Sequence, residues 1–383
     1  MKTLRNICCI LFLFSIVSCD KMLDKEPLTL LEKEDILTPR GMTTLLNGAY
    51  SRMASRNYYG QYLFLYEAAR GTDFFMRNVT GGSSFHTEAR ANDNEQNDGN
   101  NRRFWQTAYN AIRNLTILIE NIGDVEGSRE ELDRIKGEAH VLRALCYFDL
   151  MRLFAYPPIF SIPGQARYQD ARYHWGVPII NSVEVGTNVY EYEILRETAD
   201  STFRFIVEEL EKGFLLLDGR SSRGPGFVNA STALALLVRT YLYLNEWQNV
   251  IDYGEHWLAM YGSQYSMISW DNYPSSYYKP FNSESIWEFG YSAADNLGTD
   301  ALNYWVRYPT HNDFGSANDG RITTNNVGFA KLGFTFGVDP GGPGGMPQSR
   351  GLDMMMGSGP DDIRRFLICD MGIIGEEDRK SVV

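Results

Sequence analysis

Cysteine is scarce in this chain, with five in 383 residues. Cys8, Cys9 and Cys19 crowd near the start, which leaves Cys146 and Cys369 far apart. No disulfide framework and no zinc-type spacing can be built from such a set. Cys146 sits among Leu142, Leu145 and Phe148 and reads as a small buried hydrophobe. A single bridge to Cys369 is the other reading of that pair. Histidine is equally thin: His86, His140, His174, His256 and His311 include no two at the i, i+4 spacing of a helical metal site. His140 and His256 fall inside helical patterns and read as structural. No nucleophile elbow and no Cys–His signature occurs. The glycines of 341–345 lack the lysine and hydroxyl of a phosphate loop. Asp93, Glu95 and Asn97 imitate half a calcium loop, but Asp98 stands where that loop needs glycine. No metal, no cofactor and no catalytic residue is therefore expected.

Positive charge is also short. Lysine and arginine total 36 against 48 acids, a net charge of −12. Nucleic-acid binding needs concentrated Lys and Arg to replace counterions, so that class is excluded. Long apolar runs are missing too. Past the first eighteen residues no stretch reaches the roughly 18 apolar residues of a membrane helix.

The start of the chain is what it does have. Lys2 and Arg5 precede an apolar run from Ile7 to Val17, and Ser18-Cys19 closes it. A basic start, a short apolar stretch and a small residue at the cut make a secretory signal over 1–18. Ending in Cys19, it resembles a bacterial lipobox, whose cysteine becomes the acylated first residue. A plain secreted protein is the bland alternative. Each buried CH₂ contributes about 0.8 kcal/mol, and stable anchoring takes two or more lipid signals, so a multiply acylated Cys19 would hold the domain at a membrane. Losing Lys2 and Arg5 with the signal takes the net charge from −12 to −14.

Residues 19–30 read as a polar tether and 31–383 as the folded part. Thr38-Pro39 opens a helix carrying Leu45, Leu46, Ala49, Tyr50 and Met53 at helical spacing. A long polar, asparagine-rich loop is expected over 71–103. A helix follows over 104–122 with a Trp105, Ala108, Ile112, Leu115, Ile119 stripe. Ser128 and Glu131 form a capping box for the next, over 129–155, with Leu132, Ile135, Ala139, Leu142 and Cys146 on one side. The two should pack as an antiparallel pair. A third helix is expected over 192–217, from Leu195 to Leu210. Asn229 or Ser231 caps a fourth, and a fifth runs from Trp247 to about Met260. That last pair has the length of a tetratricopeptide-like unit. Ser285 to Tyr291 reads as a short strand. Glu208 and Glu209 stand beside Glu211 and Lys212 and read as a solvated face rather than paired catalytic carboxylates.

Aromatics are plentiful, at 13 % with 23 Tyr and 7 Trp. Many lie in Gly- and Asn-rich segments. Rings exposed on loops suit sugars or protein interfaces.

In this order the segments resemble the SusD/RagB family of Bacteroidetes outer-membrane lipoproteins. The resemblance rests on the lipobox followed by Asp20-Lys21 and Leu23, on Gly137 to Leu150 (GEAHVLRALCYFDL), on Gly176 to Ile180, on the helix pair from Asn229 to Leu258 and on Ser285 to Phe289. It covers residues 19 to about 292. It implies a mainly α fold of tetratricopeptide-like helix pairs, with a loop-rich aromatic ligand face and a few short strands. It implies a non-enzymatic, palmitoylated cell-surface protein of the outer membrane. Such a protein captures oligosaccharide and passes it to a SusC-like TonB-dependent transporter. A peptide or other nutrient as ligand, or a purely protein-binding scaffold, are the alternatives. Two segments fit glycan contact: Asp73 in Gly71-Thr72-Asp73-Phe74, and Tyr304 with Trp305 in 303–307. Core packing is the rival reading for Tyr304 and Trp305. Trp105 reads as core, and Trp270, Tyr273, Tyr277 and Tyr278 as weaker candidates. The family also implies C-terminal helices that the residues after 370 do not supply, so the chain is expected to be C-terminally truncated.

Overall fold

Helix α3 (Arg129–Phe154) organises the molecule. The computed structural model describes residues 36–64, 66, 74–76, 99–184, 194–276, 280–291 and 322–324. Nearly every residue of α3 from Gly137 to Met151 is buried, polar ones included. The expected row of Ile135, Ala139, Leu142 and Cys146 is buried, but so are the other sides of the helix, as in a central helix covered all round.

Around it stand α1 (Pro39–Ala54), α2 (Gly99–Asn121), α5 (Ala199–Leu217), α6 (Ala230–Leu244) and α7 (Trp247–Tyr261), with a single turn, α4 (Pro158–Ser161), after α3. In α1 the Thr38 hydroxyl caps the N-terminus, accepting from Gly41 N at 3.0 Å, with Pro39 in the first turn. Met42, Leu46, Ala49, Tyr50 and Met53 point inward. Ser128 is the N-cap residue of α3 but its side chain makes no capping bond, so the expected capping box is absent. For α6 the open choice falls to Asn229: its side chain accepts from Thr232 N at 2.9 Å while Thr232 Oγ1 accepts from Asn229 N. Asn245 ends α6 in the left-handed region, at φ 57°, a conformation Asn tolerates better than most residues. Trp257 ties α7 back to α6 by donating to Ser231 Oγ at 2.9 Å. No residue of α7 is fully buried, and Trp247, Ile251 and Leu258 are exposed.

Two glycines set the closest helix approach. A Cβ on Gly213 of α5 would stand 2.6 Å from Val141 of α3, and one on Gly137 2.7 Å from Leu217. Neither space exists for a side chain.

Four expectations need correction. Helix α2 begins at Gly99 rather than 104, and Phe74–Met76, inside the span expected as a loop, is a strand. Its buried row is Phe104, Ala108, Ala111, Ile112, Leu115 and Leu118, leaving Trp105 and Ile119 half-buried at its edge. Helix α5 begins at Ala199, not 192, and Leu195 is exposed. Backbone pairing explains it: Gly176 N donates to Glu197 O at 2.7 Å and Ala199 N to His174 O at 2.6 Å, which holds 195–198 extended. Segment 285–291 forms no strand; it has no ladder partner among the described residues. Side chains hold it instead. Glu288 accepts from Ser285 and from Phe281 N, Trp287 donates to Gly226 O, and Tyr291 to Ala54 O. The described sheet is one antiparallel pair, β1 (Phe74–Met76) with β2 (Ile322–Thr324).

Candidate ligand clefts

Three buried polar networks radiate from α3 and fix the walls around it. Glu138 accepts from Tyr50 OH at 2.8 Å and from Arg223 Nη2 at 2.6 Å and Nε at 2.9 Å. The Tyr50 hydroxyl in turn accepts from Val228 N. Burial first, and the Glu138 charge second, push the Tyr50 phenol well up, so it stays a donor. Asp149 accepts from Tyr58 and Tyr59 at 2.9 and 2.7 Å. Glu209 reaches in from α5 to His140 Nδ1 at 2.8 Å and to Arg143 Nη2 at 2.7 Å. A carboxylate only accepts, so His140 Nδ1 carries the proton of that bond. Burial acts to raise the Glu209 carboxyl, but the His140 bond and the Arg143 charge outweigh it and hold the group below its usual range. Glu209 is 1 % exposed and paired, which corrects its reading as part of a solvated face; Glu208 beside it is exposed. Cys146 is a free, buried thiol, and burial pushes it up strongly.

These networks serve the frame, and the open space lies beside them. One cleft of about 630 Å³ runs between the end of α1 and the loops at 223–227 and 281–291. Tyr50, Phe227, Phe281, Phe289 and Tyr291 line it, and the Arg223 guanidinium lies 3.8 Å from the Phe227 ring centre. Arg223 is spent on Glu138 and Asn47, so this cleft is aromatic with few polar groups to offer. A second, of about 310 Å³, lies between α2 and the 178–183 segment, walled by Trp105 and Tyr109. A third, of about 400 Å³, lies between α5 and α7 and carries Phe214, Tyr253 and the exposed His256.

Cys19, Asp73, Tyr304 and Trp305 all lie outside the described residues, as do His86, His311, Tyr277, Tyr278, Cys369 and the 93–98 segment. Of Cys19, Asp73, Tyr304 and Trp305, only Asp73 has a described chain neighbour, in β1. Phe74, next to Asp73, pairs with Thr324, and Met76 with Ile322. Trp270 is exposed and Tyr273 half-buried, on a short turn of their own. Trp105, read as core, does pack against the core, half-buried, and its other side walls the cleft. Its position one residue after the buried Phe104 was the available signal. Among the described residues no group of three or more His, Cys, Asp or Glu could hold a metal ion, and no helix is long and apolar enough to cross a membrane.

A family model described as SusD-like, starch-binding associating with outer membrane, matches residues 21–242. The chain belongs to the SusD-like family. SusD-like protein P2 of Formosa agariphila is 27 % identical over 146 residues, which cover 38 % of this chain and 28 % of that protein. The match thus spans under a third of that relative's length. A SusD superfamily crystal structure from Bacteroides thetaiotaomicron superposes with a TM-score of 0.66 at 24 % identity, over 81 % of this chain and 67 % of that one. A laminarin binding SusD-like protein superposes with a TM-score of 0.51 at 20 % identity, over 65 % of this chain and 50 % of that one. The mainly helical fold of this SusD-like chain is theirs.

Proposed function

We propose that this SusD-like chain binds a glycan at the cell surface and passes it to a SusC-like TonB-dependent transporter of the outer membrane. The family description and the laminarin-binding relative support a carbohydrate ligand. The single observation that supports the site is the β1–β2 pairing. It sets Phe74–Met76, directly after Asp73, against Ile322–Thr324, well downstream of Tyr304 and Trp305, whose assignment rests on family resemblance and ring chemistry. Asp73, Tyr304 and Trp305 are accordingly the proposed contacts. An indole or phenol face offers a rigid apolar platform to a sugar ring, and a carboxylate accepts two hydroxyl donors. Binding and release of this kind need no catalytic residue, and none is assigned. Cys19 would carry the lipid that keeps the domain at the membrane.

Calorimetry with laminarin oligosaccharides tests the site. Trp305→Ala and Asp73→Ala should each weaken binding at least tenfold, about the effect of losing one stacked ring or one charged hydrogen bond, with an unchanged far-ultraviolet spectrum. Unchanged affinity in both would move the site to the aromatic cleft at Tyr50 and Phe289. Incorporation of labelled fatty acid should vanish in Cys19→Ala; persistence of the label would remove Cys19 as the anchor.

A further inference from the structure

Helix α2 presents an arrangement that the reading above does not use. Trp105, Tyr109 and Arg113 recur at every fourth residue, so they stack on one face of the helix over about 12 Å. All three line the 310 Å³ cleft, together with Asn110, Thr116 and, across it, Pro178, Ile180 and Ser182. The platform is built in advance. Tyr109 donates its hydroxyl to Pro178 O at 2.7 Å, which pins α2 to the opposite wall. The Trp105 ring stands edge-on to Phe154 at 5.0 Å and tilted against Tyr109 at 4.9 Å. Below them Thr116 accepts from Arg143 and donates to Ile180 O, so the base is tied to the Glu209 network.

The Asn110 amide, the Arg113 guanidinium and the Trp105 indole N–H have no hydrogen-bond or ion-pair partner among the described residues. Asn110 and Arg113 are exposed and Trp105 is half-buried. Glu120, two turns further along α2, accepts from Val183 N at 3.0 Å and makes no ion pair with Arg113. An aromatic pair flanked by an amide, an indole donor and a guanidinium without an ion-pair partner among the described residues suits a ring with an apolar face and an anionic substituent. Guanidinium pairs with carboxylate through a planar fork, which a neutral sugar cannot supply.

We infer that the α2 cleft is a second carbohydrate site, separate from the one proposed above, and that it takes an acidic sugar: a pyranose bearing a carboxylate. Its volume lies at the small end of ligand sites, about 300–1,000 Å³, which limits it to one or two rings. The inference shares with the proposed function only the premise of a sugar ligand.

The test is calorimetry of the full chain with trigalacturonate, using neutral α-1,4-galactotriose as the matched control. Trigalacturonate should bind more tightly, and Arg113→Gln should lower its affinity about tenfold, the effect of losing one charged bidentate contact. Galactotriose should not respond to Arg113→Gln. Asn110→Ala should have a smaller effect of the same sign. Both positions are exposed, so the fold is not at risk, and far-ultraviolet spectra check it. An Asp73→Ala, Trp305→Ala double variant should keep the Arg113-dependent binding. Equal affinity for the two trisaccharides, an Arg113→Gln chain that binds trigalacturonate unchanged, or loss of uronate binding in the double variant would each overturn the second site. A chain that binds no laminarin yet shows the Arg113 dependence would remove Asp73, Tyr304 and Trp305 as a laminarin site and leave this one standing.

Discussion

Glu209 shows how far a residue's role can lie from its neighbours in sequence. Glu208, Glu211 and Lys212 around it suggest a solvated face, yet its partners His140 and Arg143 sit 69 and 66 positions away. Local pattern cannot see such partners. One signal was legible: two basic residues inside the apolar run of α3 need a counter-charge, and Glu209 falls on the inward side of α5, three residues after Ile206. Removing one partner of a buried pair leaves the other uncompensated, so Glu209→Gln should cost about 3–5 kcal/mol in urea unfolding. The same group sets an acid limb. Its folded pKa is depressed. Its contribution is therefore full above the unfolded value of about 4.3, and is lost as pH falls through the lower folded value. The glutamine variant should show a flatter loss of stability below pH 4.3. An unaltered acid limb would mean that other carboxylates carry it.

At the scale of elements, what the sequence discloses depends on where an element's partners are. Helices α1 and α6 are legible because their caps and apolar spacing are local: Thr38-Pro39 for one, Asn229 with Thr232 and a closing Asn245 for the other. The start of α5 is not, because pairing with 174–177 holds 195–198 extended, and no pattern inside 192–199 records that. Segment 285–291 alternates like a strand, but side chains, not a ladder, hold it. The proposed ligand contacts were legible only through family resemblance, since chemistry at a loop leaves no periodicity. The contact of α3 with α5 is the tightest joint. Gly213→Ala would force its Cβ against Val141 at 2.6 Å, and Val141 stands in a filled core. A cost of about 1–3 kcal/mol is expected, as for overpacking elsewhere. A thermal midpoint equal to or above the parent's would show that α5 can slide to make room.

For the molecule as a whole, α3 is a hub and α7 a rim. Glu138, Asp149 and Glu209 tie α3 to α1, to the 58–59 turn and to α5, so those parts should open together or not at all. The thiol of Cys146 is buried within that hub. Since burial keeps it protonated and away from solvent, no thiolate is available to attack a disulfide reagent while the hub is closed. In a chain whose other cysteines are replaced by serine, the speed of Cys146 modification becomes a clock for how often the hub opens. Gly213→Ala should make that clock run faster by the factor its lost stability dictates, whereas a change on α7 such as Ile251→Ala should leave the tempo as it was. If both substitutions quicken it alike, the rim and the hub open as one.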